Sequence, residues 1–288
     1  MAVTAAAISS RTNARVKQLR AAFNGNSRLS GGLIAIEGEH LLEESLRSGI
    51  LPQTVFLSEH QHPPPELPRS VEIVRLTSNV FSSAVETRSP QGIAALIEPP
   101  LYRLADILER LPSPLLLIAA GLQDPGNLGT IIRSGEAFGA SGVLTTPGTV
   151  SPWNQKALRA SAGSVFRTPV VEATKEEIAD LQATHDLTLF AAVGTAQNGV
   201  LAAHAADLRQ PTGILIGNEG AGLAPEWLEL ASARITIPCP GPVESLNAAV
   251  AASLLLYEAS RQRSATASSR AVGAIPGALR RRPTGATR

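Results

Sequence analysis

The stretch GILIGNEGAGLAPEWLELASARITIPCPGPVESLNAAVAASLLLYEA, residues 213–259, decides how this chain folds. It opens on the apolar run GILIG (213–217) and returns to a second run, RITIP (234–238), with a helical stretch at 225–232 between them. Short, nearly continuous apolar runs are strands buried on both faces, as in a parallel sheet covered by helices. The segment from 246 to 262 is apolar almost all round. A helix with no polar face belongs in a core or against a second subunit.

Upstream, LLLIAA (115–120), GVLTT (142–146) and LTLFAAV (187–193) have the same character, with helical stretches at 127–138, 153–160 and 175–184. Strands alternating with helices predict an α/β domain with a mainly parallel sheet over 114–262. A smaller alternation precedes it. Residues 12–24 read as a helix. The strands LIAIEG (33–38), TVFLS (54–58), VEIVRL (71–76) and GIAALIE (92–98) follow, with helices at 39–49 and 78–86. Pro99 and Pro100 break the pattern, and 102–114 reads as a linking helix, so the expected units are 8–98, a linker at 99–113, and 114–262. The remainder, 263–288, is rich in Ser, Ala, Gly, Pro and Arg and is expected to be a disordered basic tail.

Composition narrows the class. The chain has 288 residues, 44% hydrophobic and 17% charged, ordinary for a soluble globular protein. No apolar run approaches the ~20 residues of a membrane-spanning helix, and the opening lacks the order of a secretory signal. A cytoplasmic protein is the simplest reading. The single cysteine, Cys239, excludes an intrachain disulfide and a cysteine zinc cluster, and no metal is expected. Net charge is only +1, but its distribution is uneven. Residues 1–36 carry Arg11, Arg15, Lys17, Arg20 and Arg28 with no acid, and no acid follows Glu258. Basic ends on a balanced body suit a phosphate-bearing partner, through counterion release. Solubilising tails account for them equally well.

Three segments carry polar residues just beyond buried strands, where open α/β sheets bind ligands. The first is GLQDPGNLGTIIRSGEAFGA (121–140), with Asn127 and Arg133 on an otherwise apolar helix. The second is GNEGAG (217–222), where Asn218 and Glu219 sit among glycines that let a backbone approach a flat ligand. The third is IPCPGPVESLN (237–247), which brings Ser245 and Asn247 to the entry of the apolar helix. Taken singly, each has a plain reading: turn chemistry, a flexible loop, and helix capping by Ser245. Neither a dinucleotide-binding glycine motif nor a P-loop is present. Cys239 reads as a small apolar filler.

Together, D-P-x-N-x-G-x-I-x-R, I-G-N-E-G-x-G-L and I-P-x-x-G-x-x-x-S-L-N resemble the SpoU (TrmH-like) family of RNA ribose 2′-O-methyltransferases, over about 115–262. IEGEHLLEESL (36–46) and TRSPQGIAALIE (87–98) resemble the substrate-binding domain that precedes it in many members. The resemblance implies an α/β trefoil-knot domain behind a small ribosomal-protein-like RNA-binding domain, a homodimer, and S-adenosylmethionine as cofactor. It implies Arg133, Asn127, Glu219, Ser245 and Asn247 as the catalytic set. It places the cofactor near Gly217, Asn218, Ile237, Leu246, Leu215 and Thr195. Glu219 is expected to orient Arg133 or a neighbouring backbone group. The substrate implied is RNA, with ribosomal RNA favoured; transfer RNA, or a non-catalytic RNA-binding protein on the same fold, is the alternative. Arg11, Arg15, Lys17 and Arg159 are the expected phosphate contacts, and a merely solvated surface is their plain reading. Base stacking would lean on arginine or on Phe23, Phe81 and Trp153.

Overall fold

The computed structural model describes residues 6–25, 30–87, 89–194, 199–243 and 245–272, with side chains to residue 265. The apolar runs pair into two sheets. In the first, β1 (Ile34–Glu37), β2 (Thr54–Ser58), β3 (Glu72–Leu76) and β4 (Ile93–Ile97) lie in the order β1-β4-β2-β3. β4 runs antiparallel to β1 and β2, whereas β2 and β3 are parallel. Successive strand residues face opposite sides. Phe56 and Leu96 therefore pack against Val16, Leu19 and Phe81 from α1 (Ala14–Phe23) and α3 (Ser78–Ala84). Val55, Leu57 and Ile97 pack on the other face with Leu41 and Leu42 of α2 (Glu39–Arg47).

The second sheet follows α4 (Leu104–Leu108). Its elements are β5 (Leu115–Ala119), α5 (Pro125–Ala137), β6 (Gly142–Thr145), α6 (Gln155–Ser161), β7 (Val170–Glu172), α7 (Lys175–Thr184), β8 (Thr188–Ala192), β9 (Val200–Ala202), β10 (Thr212–Ile216), α8 (Pro225–Leu230), β11 (Ala233–Thr236) and α9 (Ala248–Val272). Strand order is β7-β6-β5-β10-β8-β11-β9, parallel throughout. β10 enters between β5 and β8, and β11 between β8 and β9. Each return slots between strands laid down earlier, the order of the α/β knot implied by the resemblance. No helix among the described residues is long and apolar enough to cross a membrane.

Several elements differ from expectation. β7 and β9 have three residues each at opposite sheet edges, too short to show a period. The linking helix predicted over 102–114 shrinks to Leu104–Leu108. α9 runs past 262 to Val272, so the tail does not begin at 263. Its Arg263 donates to the carbonyls of Ser113 (2.6 Å), Gln210 (2.7 Å) and Leu208 (2.9 Å), fastening the helix to the sheet's lower loops. Residues 273–288 lie outside the described residues.

The two halves share a core layer, in which Ile36, Leu42 and Leu57 belong to the same apolar cluster as Leu128, Val165 and Phe166. Two polar contacts fix their relative placement. Gln155 Nε2 donates to the carbonyl of Ala35 on edge strand β1 (2.8 Å). Arg167, with 35% of its side chain exposed, bridges Glu44 of α2 (2.7 Å) and Glu136 of α5. Burial works against charge on both carboxylates, but hydrogen bonds from Arg167 outweigh it and hold both below the ordinary value of 4.5.

Lowered carboxyl values stabilise the fold above about pH 4.5, and that stabilisation is lost as pH falls through the folded values. Arg167→Ala is expected to cost about 1–3 kcal/mol at pH 7 in urea unfolding, since it leaves the nearly buried Glu44 with Arg47 alone and takes the guanidinium from Glu136. The variant should lose less stability than wild type between pH 7 and pH 4, and an equal loss would show that the bridge is not the acid-sensitive element.

Candidate active site

The loop after β10 is shaped by its glycines. A Cβ on Gly217 would lie 2.3 Å from the carbonyl carbon of Gly222, so only glycine lets the loop fold back on itself there. Asn218 and Gly222 exchange two backbone hydrogen bonds (3.0 and 2.9 Å), and Asn218 Nδ2 reaches the carbonyl of Gly121, beyond β5 (3.0 Å). This turn aims Glu219 at the start of α5. There its carboxylate accepts from Asn127 Nδ2 (2.9 Å) and from the backbone N–H groups of Asp124 (3.2 Å) and Gln123 (3.4 Å). Asn127 Oδ1 in turn accepts from Asn247 Nδ2 (3.0 Å). Glu219, Asn127 and Asn247 thus form one hydrogen-bonded chain through all three polar segments.

Asn247 also explains its place at the head of an apolar helix. Its Oδ1 accepts from the N–H groups of Ala249 (2.9 Å) and Val250 (3.3 Å), the orphan donors of a first turn. Asn247, not Ser245, is therefore the cap of α9, and the helix starts at Ala248 instead of 246. Ser245 is exposed at the edge of the adjoining cavity. Asp124 caps α5 through Asn127 N–H (2.9 Å) and pairs with Lys156 Nζ (2.7 Å). The Lys156 ammonium, then the Asn127 N–H, hold the Asp124 carboxyl below its ordinary value. Asp124 stood in the first motif without being singled out, although an acid before a proline at N1 is a capping signature. For Glu219, burial opposes the charge, but the hydrogen bonds from Asn127, Asp124 and Gln123 prevail and its value is lowered.

Beside the chain opens a cavity of about 840 Å³ at the ends of β8, β10 and β11. Gly217, Asn218, Glu219, Ile237, Ser245, Leu246 and Asn247 line it, with Cys239 at one wall. Leu215 does not; its side chain is fully buried on the opposite face of the sheet with Ile118, Leu144 and Leu189. Thr195 lies outside the described residues. Arg133 stands exposed on α5, about 9 Å along the axis from Asn127. It has no hydrogen-bond partner among the described residues, so Glu219 orients backbone and Asn127, not Arg133.

The basic residues of the first unit are less free than their sequence implies. Arg11 donates to Asn79 (2.7 Å), and Arg15 pairs with Glu72 (2.6 Å). Lys17 and Arg159 are exposed. Arg28 lies outside the described residues. The aromatic candidates for base stacking do not stand out into solvent. Phe23 and Phe81 are buried in the core of the first unit, and Trp153 stacks on Phe166 at 6.5 Å.

Comparison with known proteins gives the chain's family. A model of the SpoU rRNA Methylase family matches residues 114–257, and a model of the MRM3-like substrate binding domain matches residues 13–95. Over 250 residues the chain is 34% identical to the 23S rRNA (guanosine(2553)-2′-O)-methyltransferase RlmP of Bacillus subtilis, spanning 87% of this chain and 97% of the relative. It is 33% identical over 264 residues to a 23S rRNA (uridine(2479)-2′-O)-methyltransferase of Streptomyces viridochromogenes, spanning 87% and 91%. An AdoMet-bound rRNA methyltransferase from Sinorhizobium meliloti superposes with a TM-score of 0.77 at 29% identity, covering 89% of this chain and 97% of that one. With a family model over half its length, and relatives above 30% identity along nearly their whole chains, the protein belongs to the SpoU rRNA methylase family.

Proposed function

We propose that this protein transfers the methyl group of S-adenosylmethionine to a ribose 2′-hydroxyl of ribosomal RNA, acting as a cytoplasmic homodimer. The observation that carries the reading is the Glu219–Asn127–Asn247 chain, which joins the cavity wall to the helix bearing Arg133. The cavity suits the cofactor: its volume lies within the range of small-ligand sites, and apolar Ile216, Ile237 and Leu246 alternate with loop backbone. Gly217, Asn218, Ile237 and Leu246 would hold it, with Thr195 proposed alongside them. When bound, the cofactor supplies an electrophilic methyl group on a sulfonium.

Methyl transfer is an in-line displacement, so positioning contributes most. Asn127 and Asn247 fix the loops that face the ribose, and Ser245, exposed at the cavity edge, binds cofactor or ribose. Glu219 is a poor base, because its lone pairs are engaged and its carboxyl value is lowered. A guanidinium keeps its proton far above neutral pH, which suits Arg133 poorly to the role of base. A clamp on an RNA phosphate and the developing alkoxide suits its fork of donors. The proton then leaves to solvent or a phosphate oxygen.

Relatives 34% and 33% identical to this chain are named for a guanosine and for a uridine, so likeness along the whole chain does not fix the base. Choice falls to the unit at 8–98, through Lys17 and the exchangeable Arg11 and Arg15, with Arg159 nearer the site. The homodimer is supported by α9. It buries Ala252, Leu255 and Leu256 but leaves Val250, Leu254 and Tyr257 exposed on one stripe, 43–53% accessible.

Four outcomes test the reading. Asn127→Ala should lower single-turnover methyl transfer about 100-fold while leaving cofactor affinity within a few-fold by titration calorimetry; loss of cofactor binding alone would refute the positioning role. Arg133→Lys should slow transfer without altering the shape of the pH–rate profile, whereas an apparent pKa that moves with the side chain favours the base. Sedimentation equilibrium should give a dimer that Leu254→Glu dissociates; a monomeric wild type defeats the dimer. Nucleotide-resolution mapping of 2′-O-methylation, with and without the enzyme, should show a position lost in rRNA, and a loss confined to tRNA would reassign the substrate.

A further inference from the structure

Lys156 lies where neither the motifs nor the catalytic chain use it. It opens α6, next to Gln155, which grips the first unit, and its ammonium pairs with Asp124 at the head of α5. A Cβ on Gly126 would come within 2.8 Å of Asp124 Oδ1 and 3.1 Å of Lys156 Cε, so the lysine lies close across the first turn of α5. The helices can approach this closely because a Cβ on Gly129 would strike the carbonyl of Ala157 at 2.3 Å.

Gly126, Thr130 and Arg133 follow one another at i, i+4 and i+7 on α5, and Thr130 and Arg133 are exposed. Lys156 and Arg159 share a face of α6 at i, i+3. Where Lys156 crosses Gly126 the two faces become one surface, which carries three cations and borders the Asn127 end of the catalytic chain. The surface also starts at the N-terminus of a thirteen-residue helix, which favours anions. Two acids border it: Asp124 is occupied by Lys156, and Glu219 by Asn127 and the N–H groups of Gln123 and Asp124.

We propose that Lys156 is a phosphate-binding residue for the RNA strand entering the methyl-transfer site, parked on Asp124 until a phosphate takes the carboxylate's place. The pair is built for exchange. Its side chains are 58% and 42% exposed, and an ion pair so open to water contributes little and re-forms readily with a competing anion. An ammonium on a flexible stem swings between partners, as a planar guanidinium held by two acids, like Arg167, does not. Phosphate contacts of this kind set register and carry no sequence preference.

This inference rests on the proposed RNA substrate, and the test separates the two. Filter binding of a labelled 23S rRNA transcript and of oligouridylate would be measured across salt concentrations for wild type, Lys156→Gln, Lys156→Arg and Asp124→Asn. Asparagine retains the capping oxygen of α5 while removing the charge. Lys156→Gln should weaken both RNAs several-fold and reduce the steepness of log affinity against log salt by about 0.7–1. Its melting temperature and its cofactor affinity should match wild type. Lys156→Arg should keep the slope, and Asp124→Asn should bind RNA more tightly than wild type. An unchanged slope in Lys156→Gln, or equal weakening in Asp124→Asn, overturns the assignment. Wild type that binds neither RNA overturns this inference together with the substrate reading.

Discussion

The structure depends on one constraint: three loops, distant in sequence, must present their polar side chains to one another at the mouth of one cavity. Glu219 and Asn127 are 92 residues apart, and Asn127 and Asn247 are 120 apart. The Glu219 carboxylate, exposed at the cavity mouth, is acceptor-only and is held in place by the donors it meets. Here it receives three donors, and the amide that supplies one of them passes its own oxygen to the next amide. The last member then caps a helix of 25 residues. The bonds that organise the site are therefore also bonds that hold the domain together, and neither set can be weakened alone.

The same economy governs how the two halves meet. A substrate-reading unit on a flexible tether would search for its RNA independently of the methyl donor. This one is fixed, by a shared apolar layer and by Arg167 held between carboxylates of both units. Gln155 fastens edge strand β1 at the same time, covering one open sheet edge. The distance between the first unit and the cavity is thus set by packing, and under the proposed function specificity becomes a question of which RNA shapes span it.

Much of this was legible in the sequence, for physical reasons that also mark the limit. Asn127, Glu219, Ser245 and Asn247 stood out because polar residues beside buried strands need partners, and the spacing of their motifs matched a family. Which side of a fully buried strand faces the ligand was not legible: β10 is apolar on both faces, so Leu215 and Ile216 look alike until the helices are in place. Nor could composition tell a free arginine from a paired one, since Arg15 meets Glu72 from 57 residues away. The cap of α9 was misread because Ser245 is the commoner capping residue of a loop, while Asn247 performs the cap and a catalytic-loop contact at once. β7 and β9 escaped because three residues cannot display a period.

The insertion of β10 into the middle of its sheet has a consequence for how the protein is made. β5 is synthesised nearly 100 residues before the neighbour that finally covers it, and at ~5–20 residues per second that interval lasts about 5–20 s. For that time the nascent chain carries β5-β6-β7 with one edge of β5 open, and β8, made shortly before β10, has no strand to join it to them. An apolar edge open for so long invites association with other chains. A strand order that completes the cavity wall last therefore exposes the nascent chain to chaperones and to aggregation alike.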